Sequence, residues 1–103
     1  MRRNRVLDRL REPLRGERKA DVVNRLKTAR GHLDSILSIL EGDPYVLDVL
    51  RQVAAVRGAL DATVRVALRH YFEHVFVNAV QQGHVEAATD ELMSALTFLR
   101  QID

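Results

Sequence analysis

The chain contains no cysteine. That absence excludes disulfides, thiolate-bound metals and thiol-based redox sensing, and leaves any metal site to histidine and carboxylate ligands. Helix breakers are also scarce: no proline follows Pro44, and Gly58 is the one glycine between Pro44 and Gly83. No apolar run approaches the ~20 residues that span a bilayer. The N-terminal stretch lacks the apolar core of a signal peptide, so the expected compartment is the cytoplasm and no membrane partner is expected. The furniture of catalysis is missing too. Ser35, Ser38 and Ser94 have no base beside them, Asp48, Asp61 and Asp90 read as solvated or capping carboxylates, and there is no glycine-rich phosphate loop. An enzyme is not expected.

What is present is helix-forming sequence with uneven charge. The 103 residues make one domain with a modest core of its own. The net charge is +2, yet residues 1–20 carry eight Arg/Lys against three acids, and residues 21–103 carry eight against eleven. Residues 1–20 therefore read as a basic arm ahead of a domain at 21–103. Val6, Leu7, Leu10 and Leu14 fall at helical spacing in the arm, and Pro13 and Gly16 are expected to interrupt any long helix there. A solvated tail and an arm laid along an anionic polymer are both consistent with it.

The longest element is expected at 43–82. Asp43 is the predicted N-cap, Pro44 the predicted first helical residue, and Gly83 the predicted stop. Apolar residues recur at 46, 49, 50, 53, 56, 60, 64, 67, 68, 71, 75 and 79, which keeps one broad face apolar for about ten turns. At ~1.5 Å per residue such a helix is roughly 58 Å long, about twice the diameter of a domain this size, so its face needs partners beyond its own chain. Before it, a helix at 21–41 places Val22, Leu26, Ala29, Leu33, Ile36, Leu37 and Leu40 on one stripe. Gly42 is expected to end it in the left-handed conformation, and Gly31 to mark a close helix crossing. A third helix at 84–102 is expected to pack back through Val85, Leu92, Leu96 and Leu99, with Met93 and Phe98 at its edges. The predicted fold is all-α: a three-helix subunit whose helical hairpin pairs into an antiparallel four-helix bundle.

Two features carry candidate function. Arg18, Lys19, Arg25, Lys27 and Arg30 cluster early in the first long helix, whereas Asp34, Glu41 and Asp43 lie late. Repeated in an oligomer, such cations give phosphate contacts, although a charge run is commonly no more than a solvated face. His70 and His74 stand four apart, a spacing that can place two imidazoles on one metal. Two ligands do not close a site, an isolated pair on a helix is ordinarily structural, and a third ligand would have to come from His84, Glu91 or a neighbouring subunit.

The segments NRLKTARGHLDSILSILEGDPY, LRQVAAVRGALDATV and DELMSALTFLRQ resemble, in order and spacing, the bacterial copper-sensing operon repressors and their nickel/cobalt-sensing and formaldehyde-sensing relatives. LEGD at 40–43 and QVAAVRGAL at 52–60 are the most specific pieces, and the likeness runs from about Asp21 to Gln101. It implies a dimer built as an antiparallel four-helix bundle, paired again into a tetramer, that represses transcription by binding double-stranded operator DNA. An effector at the subunit interface weakens that binding. The family has no helix-turn-helix, so phosphate contacts and DNA shape matter more than a recognition helix. The family's basic positions fall here on Arg25, with Lys27 and Arg30 beside it.

The effector ligands implied by the resemblance do not carry over. Val46, Tyr71 and Val75 occupy the family's ligand positions, while Tyr45 and Glu91 match positions that support the ligand cluster. A degenerate pocket of Tyr45, Val46, Tyr71, Val75 and Glu91 is expected, and copper(I) binding is not. His70 and His74 lie one residue early, turned by about 100° on a helix. The expected function is therefore a repressor that answers a non-copper effector or binds DNA constitutively. The alternatives are a helical scaffold for an acidic protein partner and a histidine-based metal sensor.

Overall fold

The computed structural model describes residues 11–100. They form α1 (Gly16–Leu40), α2 (Val46–His70), a π-helical segment (Tyr71–Phe76), α3 (Val77–Gln81) and α4 (Val85–Arg100). No strand occurs among them. The fold is all-α with three helical stretches, as expected, because residues 46–81 are helical throughout. The backbone at His70, Phe76 and Val77 keeps right-handed helical dihedrals on either side of the π turn. None of the described helices is long and apolar enough to cross a membrane. The described residues divide into two compact units, Leu14–Arg69 and a second formed by residues 11–13 with residues 70–100.

In the first unit, α1 starts at Gly16, five residues ahead of the expected start. Arg15 is extended, its carbonyl accepts from the Lys19 N–H, and Gly16 takes φ +65°, which a side chain would resist. Gly16 thus marks where the helix begins, and Glu17 in the first turn suits the positive end of the helix dipole. At the other end, the expectation for Gly42 fails. Its φ is not positive; instead the Glu41 and Gly42 N–H groups bond the Ser38 and Ile39 carbonyls, tightening the last turn. The predicted Asp43 cap and Pro44 start are also displaced. The Tyr45 carbonyl accepts from the Asp48 and Val49 N–H groups, so Tyr45 caps and Val46 is the first helical residue. Proline disfavours helical dihedrals in the residue before it, which keeps Asp43 out of the helix.

Ala29 and Ile36 of α1 and Val56 and Thr63 of α2 are the buried residues of this unit. The Thr63 hydroxyl is satisfied by donating to the Ala59 carbonyl at 3.0 Å. His32 Nε2 and Gln52 Oε1 share a half-buried hydrogen bond between α1 and α2. No close crossing is seen at Gly31, since a Cβ there would meet nothing within 4 Å. Most of the predicted stripe is uncovered: Leu26, Leu33, Leu37 and Leu40 of α1, and Val46, Leu50, Val53, Leu60 and Val64 of α2, are exposed.

In the second unit, α3 ends as predicted at Gly83, whose φ is +84°. The His84 N–H bonds the Ala79 carbonyl at 2.8 Å and the Gly83 N–H bonds the Val80 carbonyl at 3.1 Å, the paired bonds of a Schellman stop. Val75, Ala79 and Ala88 form the core here, with Tyr71, Phe76 and Ala87 packed against them. Ala88 is fully buried. The expected α4 contacts are only partly made, because Leu92 and Leu99 are half-buried while Val85 and Leu96 are exposed. Met93 and Phe98 are exposed edges as predicted.

Candidate functional site

The five candidate DNA-binding cations all lie between Arg18 and Arg30 of α1, and a helical turn of 100° per residue sorts them into two pairs with Lys27 by itself. Arg18 and Arg25 are seven residues apart and share an azimuth with the buried Ala29 and Ile36. Lys19 and Arg30, eleven apart, lie on a different flank, with Lys27 turned farther from the core. Lys19, Arg25, Lys27 and Arg30 are exposed and Arg18 is half-buried. The Arg25 Nε donates to Asp21 Oδ1 at 2.8 Å, one helical turn back. This exposed pair holds the guanidinium at small energetic cost to any competitor, since such pairs contribute only ~0.3–0.5 kcal/mol. An open depression of about 370 Å³ beside it is lined by Asp21, Asn24, Arg25 and Thr28 of α1 and Ala59 of α2.

The candidate effector residues fall into both units. Tyr45 and Val46 belong to the first, where both are well exposed at the start of α2. Tyr71, Val75 and Glu91 are brought together in the second. Val75 is core and Tyr71 packs against it. The Tyr71 hydroxyl is buried with no hydrogen-bond partner in the chain. Burial pushes the Tyr71 phenol above its ordinary value of 10.0, and the Glu91 carboxylate adds to the shift. Burial likewise raises the Glu91 carboxyl, against the opposing pull of Arg11. Both groups are thus biased toward their neutral forms. Arg11 was assigned only to the basic arm by sequence, and its charge acts here on α4.

His70 and His74 are also placed together, with ring centroids 4.8 Å apart and planes tilted by 42°. Both ring nitrogens of His70 are buried and find no hydrogen-bond partner in the chain, while His74 is exposed. Among the described residues no group of three or more His, Cys, Asp or Glu is arranged to hold a metal ion. His84 instead caps α4, its carbonyl accepting from the Ala88 N–H. Sequence reasoning missed Asp21 as the partner of Arg25, although the four-residue spacing signals it. It also missed Arg11 as a neighbour of Glu91, for which no local pattern exists.

The comparisons with known proteins agree with this architecture. The family model described as a metal-sensitive transcriptional repressor matches residues 18–97. The chain is 46% identical over 81 residues to the copper-sensing transcriptional repressor CsoR of Mycobacterium tuberculosis, covering 79% of this chain and 68% of the relative. It is 32% identical over 75 residues to CsoR of Bacillus subtilis, covering 73% and 74%. The crystal structure of the copper-sensing repressor CsoR with Cu(I) from Geobacillus thermodenitrificans superposes with a TM-score of 0.79 at 25% identity, covering 86% of this chain and 93% of that one. These relatives are repressors rather than enzymes, in keeping with the missing catalytic groups. With the family model spanning residues 18–97, from the start of α1 through most of α4, and a relative 46% identical over 81 residues, the chain belongs to the metal-sensitive transcriptional repressor family.

Proposed function

We propose that the chain is a DNA-binding transcriptional repressor, assembled as a dimer of dimers, that does not answer copper(I). The observation that carries the reading is that the family match begins at Arg18 and includes every basic position of α1, in a chain with no cysteine. The curated relatives are copper-sensing. Copper(I) is a soft ion held by thiolates, and Val46, Tyr71 and Val75, at the positions the resemblance assigns to ligands, offer none. The repressor therefore answers an effector of other chemistry or binds constitutively. Double-stranded operator DNA is the partner, bound through Arg18, Lys19, Arg25, Lys27 and Arg30 and the basic arm, of which residues 1–10 lie outside the described residues. The uncovered stripes of α1 and α2 support assembly, since apolar surface of that extent is normally buried.

A fluorescence-anisotropy titration tests this, using the duplex upstream of the chain's own gene and a scrambled duplex at two salt concentrations. The expected outcome is a preference for its own duplex, weakened by salt, and lost in large part by Arg25→Glu. An unchanged affinity and salt slope in Arg25→Glu would overturn the proposed surface. No binding to either duplex would favour the scaffold for an acidic protein.

A further inference from the structure

The second unit contains one side-chain pair that neither the core nor the proposed repressor function uses, and it is the two histidines of the π turn. Residues four apart on a helix lie on one face, one above the other, and this holds for His70 and His74 through the π turn. His70 enters this segment and His74 lies within it. With metal–nitrogen bonds of about 2.1 Å and each ring centre about 1.1 Å behind its nitrogen, two imidazoles sharing one ion at near-tetrahedral angles have centres about 5 Å apart. The observed separation is 4.8 Å.

Their surroundings point the same way. A buried imidazole normally finds a hydrogen-bond partner, yet both nitrogens of His70 lack one in the chain. His74 is exposed and gives an entry path from solvent. π turns interrupt α-helices mostly where a side-chain arrangement has a use, because they cost regular hydrogen bonding.

We infer that His70 and His74 form a two-imidazole clamp for a borderline divalent cation such as Zn²⁺, Ni²⁺ or Co²⁺. Imidazole suits these ions, whereas copper(I) prefers thiolate and Ca²⁺ and Mg²⁺ prefer oxygen. No third His, Cys, Asp or Glu joins the pair among the described residues, so the other coordination positions go to water or to an exogenous ligand. The ion exchanges with solvent through the exposed His74 side. Its residues are distinct from Val46, Tyr71 and Val75, and the inference holds whether or not the chain binds DNA.

The test is a competition titration of the purified full-length chain with Zn²⁺ and with Ni²⁺ against a metallochromic indicator. Saturable binding of one ion per chain in the micromolar range is expected. His74→Ala, at an exposed position where folding is not at risk, should weaken it at least about tenfold, as should His70→Gln. His32→Ala, whose ring is engaged with Gln52, and His84→Ala should leave it unchanged. Absence of saturable binding would overturn the inference. So would a His74→Ala variant with wild-type affinity, or an equal loss in His32→Ala or His84→Ala.

Discussion

Glu91 shows how a single side chain ties the stability of the second unit to pH. Its carboxyl is raised above the ordinary 4.5, first by burial, with Arg11 pulling the other way. A carboxyl with a raised folded-state pKa binds its proton more tightly in the folded than in the unfolded chain. Its charged form therefore costs stability above the folded pKa, and the cost is relieved as pH falls through that value toward 4.5. Glu91→Gln has no such dependence. The variant is expected to melt at or above the wild-type temperature at pH 7, with its advantage shrinking as pH is lowered toward 4.5. Thermal unfolding of both proteins across that range measures it. A variant less stable than wild type at pH 7 would mean that attraction to Arg11 outweighs burial. This coupling was not legible in sequence, because residues 11 and 91 meet only through the fold. The Arg25–Asp21 pair, by contrast, lies one turn apart on a single helix and is readable from spacing alone.

At the scale of elements, the helices were legible and several of their ends were not. Apolar spacing identified three helical stretches because that spacing is what each helix must present to its neighbours. Gly83 was read correctly because a left-handed residue is needed where α3 turns into α4. Gly42 was misread for want of that need: the last turn of α1 closes by shorter-range bonds, and the loop leaves through Asp43 and Pro44. The π turn has no local signature in YFEHVF, since it depends on a shift in hydrogen-bond register rather than on composition. The basic residues of α1 and the four-residue pairing of His70 with His74 are both readable from sequence, whereas the π register between the two histidines is not. The contact between α3 and α4 rests on small residues. Ala88 is completely buried against Ala79 and Val75, so a larger side chain has nowhere to go without parting the helices. Ala88→Leu is expected to destabilise the protein by ~1–3 kcal/mol through overpacking. Urea unfolding checks this through its midpoint; an unchanged midpoint would mean that α4 does not pack as described.

For the whole molecule, the decisive quantity is apolar surface left without cover. Among the described residues no side chain large or small is below 2% exposure except Ala88, and Leu37, Val46, Leu50 and Val53 are between 48% and 67% exposed in the single chain. If the chain functioned alone, replacing Leu50 with a charged residue would remove exposed apolar area and perturb little, as surface substitutions usually shift stability by no more than ~0.5 kcal/mol. If these stripes meet a second copy, the same change buries an unpaired carboxylate in an apolar interface, which is strongly unfavourable. Leu50→Glu is therefore expected to shift the protein to smaller species in sedimentation equilibrium and to lower its helicity, because the modest core within one chain is insufficient by itself. DNA binding should fall in the same variant even though every cation of α1 remains, since phosphate contacts multiply with the number of copies held in register. A Leu50→Glu protein with wild-type mass and wild-type DNA affinity would show that the stripe is not the assembly surface. Loss of assembly with retained DNA affinity would instead separate the two properties and place recognition within the single chain.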